Sequence, residues 1–198
     1  SDGEGNVRIK GMRTKLGATE RDSGRIKYYY KNEKDDWVEL GQLDYANRSG
    51  FNPYAVDKTR NAVFGFAPFK GRQALISLKL DGSGEQEILV ANDQVDVDGL
   101  IRIGRKNRVV GASYAIEKRE AIYFDEGLEK LATGLANALG GESAINFSDS
   151  SQDESKLLIW AGSDIDPGQY FLFDRGTKQL RPLLGVRPKV ETQNLATV

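Results

Sequence analysis

Short apolar runs separated by polar turns extend along the whole chain. Each run has four to seven residues and is rich in β-branched and aromatic side chains, as is typical of β-strands. The predicted strands cover residues 25–30, 37–40, 62–66, 74–80, 109–114, 121–124, 157–160 and 170–173, with outer strands at 87–90 and 179–184. Short strands at such regular spacing predict an all-β sandwich, barrel or propeller.

Internal repetition favours the propeller among these folds. In each repeat a first strand ends in a polar turn, and an apolar strand follows at once. The aligned positions in that second strand are Val63, Val109 and Leu157, which are 46 and 48 residues apart. A repeat of this length with three or four strands matches one propeller blade of roughly 40 to 50 residues.

The third strand of each repeat ends in an aspartate. These aspartates are Asp81, Asp125 and Asp174, which are 44 and 49 residues apart. We expect each carboxylate to accept hydrogen bonds from the backbone of the turn that follows. In the first segment the same signature is displaced to Asp44, so we interpret that segment as a blade of irregular register.

One predicted helix interrupts the strands. Between Asp125 and Gly141 the leucines recur at helical spacing, at positions 128, 131, 135 and 139. Asp125 can cap the start of the helix, and Gly140 can end it. We expect an insertion after a third strand, with the apolar stripe packed on a blade.

The resulting fold class is all-β, a partial β-propeller of about four blades with one inserted helix. The whole chain, residues 1–198, is interpreted as a single partial β-propeller domain. The predicted blades cover approximately residues 7–44, 50–91, 97–140 and 143–185, and residues 186–198 are interpreted as a linker.

Composition removes several classes of chemistry and of partner. The chain has no histidine and no cysteine, which excludes a Ser-His-Asp triad, a thiol nucleophile, a disulfide and a thiolate metal site. The 28 basic and 29 acidic residues are interspersed, so no nucleic-acid partner is expected. No apolar stretch is long enough to cross a bilayer, so no membrane partner is expected either. No signal peptide stands at the start, and the compartment, cytoplasmic or periplasmic, stays open.

Two motifs come close to known sites but do not match them. Gly111–Ala115 resembles a nucleophile elbow around Ser113, but alanine replaces the closing glycine and the segment lies inside a predicted strand. The acidic residues before Gly99 suggest a calcium loop, but the bidentate glutamate of that loop would fall on Arg105. We therefore interpret Asp93, Asp96 and Asp98 as a solvated acidic turn. No catalytic, cofactor-binding or metal-binding residue is predicted, and the substrate-binding residues are unknown.

The aromatic residues predict packing rather than a site. Tyr28, Tyr29 and Tyr30 lie in a strand, so two side chains point to one face and one to the other. Trp37 and Trp160 also fall in strands and are expected in the core.

The last hundred residues carry a family resemblance. The segments Asp96–Leu100, Arg108–Tyr114 and Asp166–Arg175, together with the helix after Asp125, resemble the propeller of bacterial prolyl oligopeptidase-family serine peptidases. The acylaminoacyl-peptidase and dipeptidyl-peptidase-like branch is the most similar. The tail from Leu180 looks like the segment that leads from the last blade toward an α/β-hydrolase domain.

This resemblance implies a parent serine peptidase whose catalytic residues belong to a hydrolase domain outside this chain. The implied partners are the peptide substrate and that hydrolase domain. Family propellers have seven or eight blades, so a four-blade fragment is also expected to offer exposed blade edges for homodimerisation. The implied function is to gate and position peptide substrates.

Two alternatives to this interpretation remain open. The first is a stand-alone propeller-like module that binds a protein or peptide. The second is a metal-assisted enzyme that uses carboxylates alone.

Overall fold

The computed structural model describes residues 2–19, 21–141 and 143–189. In these ranges the chain forms fifteen strands, one α-helix and a 3-10 helix, Gly17–Thr19. Sheet 1 comprises β1 (Ile9–Leu16), β2 (Arg21–Lys31), β3 (Trp37–Asp44) and β4 (Ser49–Gly50). Sheet 2 comprises β5 (Asn52–Asp57), β6 (Ala62–Phe69), β7 (Arg72–Lys79) and β8 (Gln86–Val90).

The second half of the chain forms two further sheets and the helix. Sheet 3 has three strands, β9 (Gly99–Ile103), β10 (Arg108–Ala115) and β11 (Arg119–Tyr123). The helix α1 (Glu126–Ala138) follows β11 directly. Sheet 4 comprises β12 (Ala144–Ser150), β13 (Lys156–Gly162), β14 (Gln169–Asp174) and β15 (Gln179–Gly185).

The predicted fold class is confirmed. In every sheet the strands lie side by side in chain order, so each sheet is an up-and-down meander of three or four strands like a propeller blade. Within the described ranges there are four such sheets and one inserted α-helix, and no closed barrel. None of the helices in these ranges has the length and apolar character that a membrane crossing requires.

The chain divides into two compact units. Unit 1 holds the described residues up to Leu100 together with Ala112–Ile122. Unit 2 holds Ile101–Gly111 and the described residues from Tyr123 onward. Strands of sheet 3 contribute residues to both units.

Each unit has its own apolar core. In unit 1, sheets 1 and 2 contribute the buried residues Tyr30, Val56, Val63 and Leu80. In unit 2, α1 contributes Leu128 and Leu135, which pack with residues of sheets 3 and 4. The residues they join are Ile103, Val110, Phe147, Leu157, Ile159 and Phe173. Burying a leucine side chain contributes roughly 1.5 to 3 kcal/mol, so the leucine stripe fixes the helix on its unit as the sequence predicts.

The helix ends agree with the capping signals in the sequence. The Asp125 carboxylate accepts hydrogen bonds from the backbone N–H groups of Gly127 and Leu128, at 2.9 and 3.1 Å. These bonds satisfy donors that the first helical turn leaves without partners. The helix closes at Leu139, whose N–H bonds the Leu135 carbonyl at 3.0 Å.

The strand-end aspartates also behave as predicted. Asp81 accepts from Ser83 N at 2.9 Å, and Asp174 accepts from Gly176 and Thr177 N, each at 3.0 Å. Asp44 closes the third strand of sheet 1 in the same way, because the backbone N–H of Ala46 donates to it at 3.1 Å. Asp44, although displaced from the repeat spacing, therefore has the same structural role as Asp81 and Asp174.

The prediction of a core position for Trp37 is wrong. Its ring is 36% exposed, and the Lys10 Nζ lies 4.3 Å from the ring centroid. The lysine stem and ammonium cover the ring in place of apolar neighbours. Most of the predicted linker, residues 190–198, lies outside the described residues. At its start, the Val186 N–H donates a hydrogen bond to the Gly168 carbonyl at 2.9 Å, so this residue is still attached to sheet 4.

Candidate functional site

Unit 1 contains an aromatic and charged cleft of about 330 Å³. Residues from sheet 1, from sheet 2 and from the segment before β9 line it. We call it the tyrosine cleft and define it by Tyr45, Arg48, Asn52, Tyr54, Phe66 and Asp96. Its volume is at the lower end of the range for sites that bind small molecules or single side chains.

Tyr54 lies at a β-bulge beside the cleft. The pairing of β5 with β6 shifts register between Pro53 and Ala55, which leaves Tyr54 as the extra residue. Proline has no N–H to donate to the ladder, so it is tolerated where pairing is broken. The Tyr54 ring is 52% exposed and meets Phe66 edge-on, with 5.1 Å between ring centroids. The two rings form an aromatic wall.

Close backbone packing brings Asn52 to the same wall. Asn52 pairs with Phe66, and the preceding residue of β6, Gly65, lies against the Asn52 carbonyl and the Phe51 ring. A Cβ at position 65 would lie only 2.6 Å from Phe51 Cε2, so glycine is required there. The Tyr28 hydroxyl donates to Asn52 Oδ1 at 3.2 Å and so orients the amide.

The phenol groups at the cleft influence one another. Burial raises the pKa of Tyr28, and the neighbouring phenols of Tyr45 and Tyr54 raise it further. Tyr45 remains 55% exposed, so its ring offers a face to a ligand. The raised pKa keeps the Tyr28 phenol in the protonated form that donates to Asn52.

The opposite wall comes from the acidic segment before β9. Asp96 Oδ1 accepts a hydrogen bond from Gln73 N at 2.8 Å, and Val97 N donates to the Gln73 carbonyl at 2.9 Å. The Val97 side chain is 1% exposed. The segment is thus fixed to β7, and Asp96 keeps a second carboxylate oxygen for a ligand.

Arg119 holds the next carboxylate in place. Its guanidinium donates to both oxygens of Asp98, at 2.7 and 3.1 Å, and Nη1 also donates to Ser113 Oγ at 3.0 Å. The hydrogen bond from Arg119 holds the pKa of Asp98 below its usual value. Asp98 therefore supports the wall rather than serving as a free acid.

Asp44 also has a structural role, because its carboxylate is hydrogen bonded within the protein. It accepts from the backbone of Asn47 at 3.1 Å and from Arg25 Nε at 2.9 Å, and these bonds lower its pKa. In the described part of the chain, Asp96 and Arg48 are the charged groups of the cleft without an ion pair. The cleft thus offers one free anion and one free cation beside aromatic faces.

This arrangement offers groups that can bind a ligand. The chain has no histidine to act as a base, and Ser113 is 9% exposed inside β10 and bonded to Arg119. In the described ranges no group of three or more acidic side chains is placed to hold a metal ion. A ligand can stack on the tyrosines and hydrogen bond to Asn52, Asp96 and Arg48.

The structure revises the interpretation of the acidic segment. Asp93 lies in an exposed turn, whereas Asp96 and Asp98 are bonded to Gln73 and Arg119 and line the cleft. The segment is an anchored wall and not simply a solvated turn. The predicted alternation of the tyrosines is confirmed by the register of β1 with β2, which pairs Tyr29 with Lys10 and places Tyr30 in the core.

Sequence reasoning missed Tyr45, Arg48, Asn52 and Tyr54 as site residues. The available signal was Pro53, because a proline inside an apolar run indicates a bulge and therefore a redirected neighbour. Arg48 gives no sequence signal, since its place depends on the turn that Asp44 stabilises.

Comparison of the sequence with models of known protein families and with curated proteins gives no significant match.

Proposed function

We propose that this chain is the non-catalytic propeller part of a prolyl oligopeptidase-family serine peptidase. In this proposal it admits and positions peptide substrates for a hydrolase domain outside the chain. The observation that carries the proposal is the tyrosine cleft: it is equipped to bind, in a chain without histidine. The blade-like sheets and the family resemblance of residues 96–188 support it further.

The cleft matches the chemistry of an extended peptide. Peptide N–H groups are donors that fit the free oxygen of Asp96, and peptide carbonyls are acceptors that fit the guanidinium of Arg48. One peptide side chain stacks on Tyr45 or Tyr54, as aromatic faces favour. A cleft of about 330 Å³ holds one or two side chains, so it positions a substrate without enclosing it.

A stand-alone peptide-binding module is the second candidate, and the same cleft favours it. Both proposals include peptide binding at the cleft. They differ in whether the bound peptide is then cleaved by a hydrolase domain of the same polypeptide. The coding sequence after Val198 separates them. A Gly-x-Ser-x-Gly elbow followed by Asp and His supports the peptidase, and a stop codon near Val198 overturns it.

The binding step is tested by equilibrium titration of the purified chain with a pool of fluorescent peptides. We expect saturable binding, a loss of about tenfold or more for Tyr54→Ala and Asp96→Asn, and no peptide hydrolysis. The matched control is Tyr29→Ala, a tyrosine outside the cleft on the lysine-bearing face of sheet 1. Equal binding by all variants, or no binding at all, contradicts both proposals. Hydrolysis by the purified chain contradicts its non-catalytic role.

A further inference from the structure

One face of sheet 4 carries an apolar patch that is not fully buried. In the register of β13 with β14, Leu158 lies opposite Leu172 and Trp160 lies opposite Tyr170, and Leu184 of β15 extends the second row. Residues opposite each other in an antiparallel pair point to the same face. We call these five residues the open face of sheet 4. Leu184 is 58% exposed, and the other four are partly exposed.

The reverse face of the same strands is fully packed. Leu157 and Ile159 are each 0% exposed, and Phe173 is 6% exposed. Apolar side chains on both faces of a strand are typical of strands covered on both sides. Within this chain β6 shows that situation, because Val63 and Phe64 point to opposite faces and are both 0% exposed. The open face of sheet 4 therefore has the composition of a covered surface.

Sheet 1 shows what a solvated face of this chain looks like. The face that carries Tyr29 also carries Lys10, Lys27 and Glu39, and Lys27 and Glu39 form an ion pair at 4.0 Å. The same face of sheet 4 also carries Lys156 opposite Asp174, and these two side chains form an ion pair at 2.9 Å at one end of the strands. The five residues of the open face therefore form an apolar patch bordered by charged groups, and a partly exposed apolar patch of this kind is typical of a contact surface.

Two opposite charges flank the open face on its edge strands. Asp149 of β12 lies opposite Leu158, and Arg181 of β15 lies opposite Leu172. Acid, two leucines and base therefore form one row across the sheet. Both charged side chains are exposed, and in the described residues neither has an ion pair. An apolar centre with a polar rim is the usual anatomy of a protein interface.

We propose that the open face of sheet 4 binds a second copy of this chain, face to face, about a two-fold axis parallel to the strands. Such an axis reverses the order of strands in the facing sheet, so β12 of one copy lies opposite β15 of the other. It places Asp149 of one protomer next to Arg181 of its partner, twice in each dimer. The interface is isologous and closes on itself, as in most homodimers.

The size of the face sets the expected affinity. Four strands about 4.8 Å apart and about seven residues long cover roughly 440 Å² in projection. This is less than the roughly 800 Å² that each partner buries in a typical stable complex. The dimer is therefore expected to be weak and to dissociate in the micromolar range.

Sedimentation equilibrium of the full chain at roughly 5 to 500 µM tests this proposal. We expect a monomer–dimer equilibrium that Leu184→Glu abolishes. Asp149→Arg and Arg181→Asp are each expected to weaken self-association by roughly tenfold, because each places like charges opposite each other twice. Mixed together, these two variants are expected to form a heterodimer, since every rim contact then joins opposite charges. Met12→Glu, an exposed apolar site on β1, is the control and leaves the equilibrium unchanged.

Circular dichroism of each variant shows whether it is folded, so a loss of dimer through misfolding is separated from a loss of contact. A chain that stays monomeric over the whole concentration range overturns the proposal. It is also overturned if the mixed charge variants do not associate. Coverage of this face by another protein or by a further sheet of the same polypeptide predicts that monomeric result.

Discussion

The Arg119 guanidinium donates hydrogen bonds to both carboxylate oxygens of Asp98, at 2.7 and 3.1 Å. These bonds join the hairpin of β10 and β11 to the segment that lines the tyrosine cleft. A bidentate guanidinium pair restricts orientation more strongly than a single hydrogen bond. Both side chains are more than half exposed, so the pair contributes more to geometry than to the free energy of unfolding.

Replacing this arginine separates the two effects. We expect Arg119→Met to lower the free energy of unfolding by about 1 kcal/mol or less and to weaken peptide binding at the cleft. Urea unfolding measures the first effect, and peptide titration measures the second. Lys118→Met, at the neighbouring position, is the matched control. Unchanged peptide binding by the folded Arg119 variant would show that the wall does not depend on this pair.

Acid stability depends on the strand-end and turn aspartates. Hydrogen bonds from Thr177 N and from the Lys156 ammonium lower the pKa of Asp174 to about 2. The hydroxyl of Ser151 and the backbone of Ser155 lower that of Asp153 to about 2. Because the folded pKa lies below the unfolded value of 3.8, the ionised form stabilises the fold. That stability is present above pH 4 and is lost as the pH falls toward 2.

The thermal midpoint is therefore expected to fall between pH 4 and pH 2. In Asp174→Asn the amide oxygen still accepts from the turn, but this group no longer titrates. We expect the variant to have a lower midpoint at pH 7 and a smaller further decrease between pH 4 and pH 2. A decrease equal to that of the unmodified chain would exclude Asp174 as a source of acid sensitivity.

Gly168 is required by its conformation and by its neighbour. Its φ is +92°, and a Cβ at this position would lie 2.7 Å from Trp160 Cζ2. We expect Gly168→Ala to lower the free energy of unfolding by roughly 2 kcal/mol or more, through backbone strain and displacement of the indole. Thermal or urea unfolding measures this loss. Tryptophan fluorescence reports whether the indole moves, and an unchanged midpoint would contradict the assigned packing.

At Gly134, in contrast to Gly168, replacement by alanine is expected to stabilise the protein. It lies inside α1 with ordinary helical geometry, and a Cβ there meets no atom within 4 Å. Gly134→Ala is expected to raise the free energy of unfolding by about 0.5 to 1 kcal/mol, because alanine loses less backbone entropy in a helix. Denaturant unfolding measures the gain, and a loss of stability would show that position 134 is more crowded than described.

Short apolar runs bounded by polar turns were sufficient to predict the core strands. Adjacent apolar residues such as Val63 and Phe64 are both buried, and the aspartates that end the third strands accept the expected backbone hydrogen bonds. Strand β1 was less visible, because its sequence from Ile9 to Leu16 contains three charged residues and little alternation. Its pairing with β2 depends on tertiary context.

The tyrosine cleft could not be predicted in the same way. Tyr54 is the extra residue at a register shift between Pro53 and Ala55, and its ring meets Phe66 of the neighbouring strand. Asp96 joins the cleft because Gln73, twenty-three positions earlier in the chain, donates a backbone hydrogen bond to it. Trp37 was misplaced because Lys10, a residue of another strand, covers its ring.

The most direct test of the proposed binding function is a chemical-shift titration of the isotope-labelled chain with a peptide pool. We expect saturable shifts centred on Tyr45, Tyr54, Asn52 and Asp96, and the loss of these shifts in Tyr54→Ala. Absence of shifts, or shifts confined to residues outside the tyrosine cleft, would contradict it.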